Sequence, residues 1–240
     1  SGITHIHLSL DPALSSENRA YLNAVEKHQW QPTATMIGFT QEDYSTLETI
    51  KQTGGIVPDK HWETNRQKIL QAVDLTALLG LEYLTFHFGF IDNSEQKMRE
   101  RVRFLADAAE QKNVMLLMET GQENAQTLRV FLEELSHPAL GVNFDPANMI
   151  LYGKGDPVLA LEVLAPWVKH LHIKDARRSV IPEQWGEEVV WGDGDFDNET
   201  FLKTLNSIGY QGALAIEREA GSQRLQDIQH AAYALREFSN

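Results

Sequence analysis

Four short apolar runs in this chain each carry a metal-type side chain at or near the C-terminal end, and all four show the same parity. They are Val114–Glu119, Leu140–Asp145, Val168–Lys174 and Ala213–Glu217. Three end on a carboxylate, and the other carries His172 two residues before its end. Strand side chains alternate faces with period two. Glu119 therefore shares a face with Leu117 and Met115, Asp145 with Asn143, His172 with His170 and Lys174, and Glu217 with Ala215 and Ala213. The opposite faces read Val114/Leu116/Met118, Val142/Phe144, Leu171/Ile173 and Leu214/Ile216, bulky surfaces suited to a cover of helices. Strands with a polar inner face and a helix-covered outer face describe a β/α barrel, which gathers its chemistry at the C-terminal mouth. Packing alone is a poor explanation for four such groups in register, because buried like charges repel unless a cation or protons neutralise them.

The rest of the chain repeats the alternation. Strand-like runs recur at Ile3–Leu8, Thr33–Ile37, Tyr83–Phe88, Val114–Glu119, Gly141–Asp145, Val168–Lys174 and Ala213–Glu217. Amphipathic helical stretches fall at Ser15–Gln29, His61–Leu79, Ser94–Gln111, Ala125–Leu135, Pro157–Ala165, Asn198–Ile208 and Ser222–Phe238. Ser15 or Ser16 and Asp197 are expected as helix caps, and Gly80 and Gly209 as helix ends. With no linker-like segment, the pattern predicts one α/β domain over residues 1–240 with a parallel sheet. Seven strands are legible where a closed (β/α)8 TIM barrel takes eight. One long connection, Gly38–Pro58, follows a strand and so lies on the catalytic side, as a lid or as a short helix with a surface loop.

Composition narrows the chemistry. The formal net charge of −13 argues against a nucleic-acid partner, because phosphate-backbone binding needs a basic surface. There are no cysteines, so any metal must be held by oxygen and imidazole. No apolar run reaches membrane-spanning length, and no membrane partner is expected. The cytoplasm is the default location, and a homo-oligomer is compatible with the chain.

Two glutamates, one aspartate and one histidine make an oxygen-rich set suited to one divalent ion: Mn²⁺ first, then Mg²⁺ or Co²⁺, with Zn²⁺ also accommodated. His170 lies one layer deeper than His172 and reads as a hydrogen-bonded interior histidine. Lys174 lies one layer higher, where it can meet substrate oxygen or neutralise a carboxylate. Asp175 is expected to hold Lys174 or orient a ligand. His87, also at a strand end, reads as a substrate-contacting or supporting residue. The run Trp191–Asp197, WGDGDFD, carries too many aspartates to cradle phosphate and reads as a tight turn into a helix cap.

The order Glu119, Asp145, His172, Glu217, with the strings GVNFDPANM, HLHIKDA, GDGDFD and GYQGALAIERE, resembles the xylose-isomerase-like β/α barrels. That superfamily includes sugar isomerases and epimerases, inosose dehydratase and endonuclease IV. The resemblance runs from about Thr33 onward and is specific for superfamily and metal site, not for substrate. By analogy with its ketose 3-epimerases, it implies that Glu119, Asp145, His172 and Glu217 bind one divalent metal, with Glu119 and Glu217 as the acid/base pair. It also implies substrate contacts at Arg178 and at Asn148, the latter a departure from the histidine of those epimerases. Family members open with a strand and helix before the segment matching Ile3–Leu8. The resemblance thus implies a missing first βα unit and edges at Ile3–Leu8 and Ala213–Glu217.

The expected function is metal-dependent isomerisation or epimerisation of a sugar, sugar phosphate or related polyol ketone by glutamate proton transfer next to a carbonyl. A keto-sugar or inosose dehydratase or lyase begins with the same proton abstraction. A sugar-binding barrel without catalysis is the rival of another class. Endonuclease IV-type DNA repair fits poorly with the acidic charge, with Asn148, and with the lack of an Asp-x-His pair after His172.

Overall fold

The computed structural model describes residues 2–14 and 18–238. Its α-carbons group into two units: Thr4–Glu119 with Val130–Val142, and Thr120–Arg129 with Asn143–Asn240 and Ser1–Ile3. The cap expected at Ser15 or Ser16 lies outside the described residues.

The first unit runs β1 (His5–Ser9), α1 (Asn18–Lys27), β2 (Gln31–Met36), α2 (Leu47–Thr53), α3 (Asp59–Leu78), β3 (Tyr83–Phe86), α4 (Gln96–Glu110) and β4 (Met115–Glu119). It also takes the opening residues of β5 (Leu140–Phe144), and α5 (Ala125–Leu135) begins in the other unit. Strands hydrogen-bond in the order β1-β2-β3-β4-β5, and the first three pairings are parallel. The helical cover follows from residue spacing. In α4 the buried Met98, Val102, Leu105, Ala106 and Ala109 recur every three or four residues and form one face. In α3 the buried stripe ends on Thr76, whose hydroxyl meets that of Thr35 on β2 at 2.7 Å, so this polar pair is satisfied in the core.

The Gly38–Pro58 connection holds a short helix, α2, the second of the two forms expected for it. Thr46 caps it in a reciprocal box with Thr49. Glu42 fastens both ends of the connection by accepting the amides of Phe39 at 3.2 Å and Gly55 at 3.0 Å. Gly55 sits at φ 62° with its α-carbon against the Phe88 carbonyl, where a Cβ would come within 2.2 Å of backbone. Only glycine fits there.

The second unit continues β5 and adds α6 (Pro146–Leu151), α7 (Pro157–Leu164), β6 (Val168–Ile173), β7 (Asp175–Arg177), β8 (Glu187–Val189), α8 (Asn198–Ser207), β9 (Leu214–Ile216) and α9 (Arg224–Phe238). Its strand order is β5-β6-β9, with β6 and β9 parallel, while β7 and β8 form a separate antiparallel pair. Asp156 and Asp197 cap α7 and α8 through side-chain oxygens, Asp197 as expected. Among the described residues, β1 and β9 have one strand neighbour each. No described helix is long and apolar enough to cross a membrane.

Asp175 corrects an expectation. It was expected to hold Lys174 or orient a ligand, but its carboxylate gathers the amides of Ala176, Gly192 and Gly194 and the Asn198 side chain at 2.8–3.2 Å. Gly194 lies so close that a Cβ would overlap this carboxylate. Burial pushes the Asp175 carboxyl above the usual aspartate range, against the pull of those donors. The WGDGDFD run is thus a turn wrapped on Asp175 and leading into the α8 cap.

Candidate metal centre

In the second unit three groups expected from strand parity converge. Asp145 follows β5 directly and caps α6, and its two oxygens have different partners. Oδ1 accepts the Asn148 amide at 2.9 Å, while Oδ2 lies 3.4 Å from His172 Nδ1. The Thr120 hydroxyl fixes the Asp145 backbone, accepting its amide at 2.8 Å and donating to its carbonyl at 3.0 Å. Glu217 follows β9, its amide donating to the Ile173 carbonyl at 3.1 Å, which sets its side chain beside β6. Its Oε2 lies 3.3 Å from His172 Nδ1. One ligand atom from each of Asp145, His172 and Glu217 lies within 4.8 Å of the others.

Lys174, only 3% exposed, completes this cluster. Its ammonium donates to Glu217 Oε2 at 2.8 Å and to Glu219 Oε2 at 2.6 Å, and lies 3.7 Å from Asp145 Oδ2. Burial opposes ionisation of Glu217, but the charges of His172 and Lys174 outweigh it and hold its carboxyl well below the ordinary glutamate range. One buried and one half-buried carboxylate flanking a buried imidazole nitrogen suit a divalent cation, a donor set of hard oxygens with one nitrogen.

Behind His172, Asn143 links the two buried histidines. Its amide nitrogen is 3.2 Å from His172 Nε2 and its oxygen 2.9 Å from His170 Nδ1. This is the interior hydrogen bonding expected for His170. A neutral His172 with the amide nitrogen on Nε2 carries its proton on Nδ1 and donates toward the carboxylates, whereas the cationic form that lowers Glu217 needs the amide oxygen on Nε2. Ligation through Nδ1 needs that proton on Nε2 instead. A half-turn of the Asn143 amide supplies the matching acceptor, and His170 then takes the other tautomer.

In the first unit, Glu119 ends β4 with its side chain 7% exposed and its Oε2 3.4 Å from His87 Nε2. The other His87 nitrogen, Nδ1, meets the Tyr44 hydroxyl at 2.6 Å and has Glu42 at 3.8 Å. His87 thus lies between Glu119 and the α2 connection. Of the other expected contacts, Asn148 is buried and tied by its amide to Asp145. Arg178 is exposed, with its guanidinium directed to the Gly155 carbonyl at 3.4 Å and its amide on Asp195.

Sequence reasoning did not assign a role to Asn143, Glu219, Tyr44 or Glu42. Parity offered a signal for two of them, since Asn143 shares a face with Asp145 and Glu219 with Glu217. Tyr44 and Glu42 lie in irregular chain, where no period points a side chain anywhere.

The sequence pattern that defines the xylose isomerase-like TIM barrels matches residues 5–238 and so spans both units. A xylose isomerase domain protein of Planctomyces limnophilus is 32% identical, with a TM-score of 0.87 over 98% of this chain and 86% of that one. A xylose isomerase-like TIM barrel protein of Mycobacterium smegmatis, solved in complex with magnesium, shares the fold at 18% identity and a TM-score of 0.74. Those figures cover 99% of this chain and 84% of that one. Inosose dehydratase of Clostridium tetani is 23% identical over 161 residues, 60% of this chain. The match spans about half the length of that curated relative, 54%. With the family pattern covering nearly its whole length, the chain belongs to the xylose isomerase-like TIM barrels.

Proposed function

We propose that this chain is a divalent-metal-dependent enzyme that moves a proton at a carbon next to the carbonyl of a sugar or polyol ketone. The convergence of buried Asp145 and His172 with half-buried Glu217 carries this reading. Glu119 is assigned as the fourth ligand because it ends its strand with the same parity. A bound Mn²⁺, or Mg²⁺, Co²⁺ or Zn²⁺ in its place, supplies Lewis acidity to neighbouring carbonyl and hydroxyl oxygens of the substrate.

The chain's own residues then divide the work. One of Glu119 and Glu217 removes the proton from carbon, and the other returns one to the adjacent atom or the opposite face, giving an isomer or epimer. His87, Asn148, Lys174 and Arg178 hold substrate oxygens, with Lys174 supplying positive charge where negative charge develops. A second outcome has specific support. Curated relatives are named inosose dehydratase, and the Lys174 ammonium beside Glu217 suits protonation of a departing hydroxyl. Dehydration and epimerisation therefore share their first step here.

The test is incubation with a panel of ketoses, keto-glycosides and inososes in D₂O, with Mn²⁺ or with excess chelator. Deuterium entering the carbon beside the carbonyl only when metal is present is the expected result. Turnover without deuterium entry would point to an internal hydride shift and overturn the glutamate assignment, and full activity in chelator would overturn the metal. Asn143 gives a second check. Asn143→Leu removes the group that orients His172 and is expected to weaken Mn²⁺ binding about 10–100-fold, read by calorimetric titration. An unchanged affinity would remove Asn143 from the account.

A further inference from the structure

We infer that Lys174 is a built-in competitor for the metal, with Glu219 as the seat its ammonium keeps when a cation takes Glu217. This rests on the reading that Asp145, His172 and Glu217 hold a divalent ion. The atoms on which such an ion must converge are identified by distance. His172 Nδ1 is 3.4 Å from Asp145 Oδ2 and 3.3 Å from Glu217 Oε2. Asp145 Oδ1 is already committed to capping α6. Lys174 Nζ lies 2.8 Å from the same Glu217 Oε2 and 3.7 Å from the same Asp145 Oδ2. One pair of oxygens, that of Asp145 buried and that of Glu217 half-buried, thus faces two cationic claims, and like charges a few ångströms apart repel.

Glu219 offers the way out. Its Oε2 is 2.6 Å from Lys174 Nζ, and its side chain is 68% exposed, so solvent reaches that end of the pair. Its amide is bonded to Glu188 Oε1 at 3.0 Å, and the same oxygen holds Arg218 at 2.6 Å and the Ala220 amide at 3.2 Å. Glu219 is therefore presented from a fastened turn. The flexible four-carbon stem of lysine lets the ammonium swing from Glu217 onto Glu219 without leaving ionic contact. Metal binding then includes breaking one part-buried ion pair, so the affinity is lower than the donor set alone would give.

The experiment is calorimetric titration of Mn²⁺ into the metal-stripped full chain and into Lys174→Met, Glu219→Gln and the double variant. Lys174→Met, although it changes a residue of the site, is expected to bind Mn²⁺ about tenfold tighter, equivalent to about 1.4 kcal/mol. Glu219→Gln removes the alternative seat and is expected to weaken binding several-fold, but to have a much smaller effect in the Lys174→Met background. That non-additivity separates an ammonium that must relocate from simple loss of a nearby negative charge. Wild-type binding with equal or weaker affinity in Lys174→Met would overturn the inference and leave the metal reading intact. Binding by none of the four proteins would overturn the metal reading itself. If Lys174→Met does not fold, Glu219→Gln still decides, because unchanged affinity there contradicts a role for Glu219 as the seat.

Discussion

Glu217→Gln is expected to lower kcat about 10²–10⁴-fold on whichever substrate the panel identifies, the range that one positioned proton-transfer group contributes. The substitution keeps size and hydrogen-bonding shape but removes the charge that His172 and Lys174 hold on this carboxyl. The amide oxygen can still ligate weakly, so metal binding should fall less than turnover does. Glu119→Gln is expected to behave alike. The informative measurement is deuterium exchange on the substrate carbon by each variant, apart from net conversion. If each glutamate serves one face or one atom, one variant should retain exchange while losing product formation. Full turnover in either variant would remove that glutamate from proton transfer.

The second large effect is on stability. Glu123 follows the β4 strand end in the second unit, is 8% exposed, and has its carboxyl pushed up to about 8 by burial, with the Lys154 charge only partly opposing. Below the ordinary value of 4.5, folded and unfolded chains both carry this proton. As pH rises from there to about 8, only the unfolded chain releases it, so the folded state loses stability across that window. At about 1.4 kcal/mol per pH unit, the loss is of the order of 4–5 kcal/mol. Glu123→Gln copies the protonated form and does not titrate. Urea unfolding in excess chelator at pH 5 and pH 8.5 is expected to show the variant gaining on the wild type by an amount of that order at the higher pH. Parallel pH profiles for the two proteins would contradict it.

The alternation of strands and helices was legible because its signals are periodic. The stripes of α3 and α4 and the two-residue parity of β4, β5 and β6 come directly from which faces must leave water. Parity also brought Asp145, His172 and Glu217 to one face, and they form one cluster. What escaped was short or irregular. α6 has six residues, too few to establish a helical period, and α2, with seven, could be expected only as a short helix without bounds. The β7/β8 pair is only three residues on each strand. Asp175 was misjudged because its partners, Gly192, Gly194 and Asn198, lie far along the chain and contribute mainly backbone amides. Backbone donors leave no mark in residue type except the glycines that allow close approach.

The divided carboxylate of Asp145 has a consequence for how the site is assembled. Because Oδ1 is fixed by the first turn of α6 and the backbone is clamped by Thr120, the side chain loses its rotamer freedom during folding. Nothing further need be frozen when a ligand meets Oδ2, so this donor meets a cation without an added entropic penalty. The sequence Asp-Pro at the α6 entrance thus makes one residue both the start of a helix and a rigid tooth of the site. Local folding of six residues and the geometry of the chemistry become a single event.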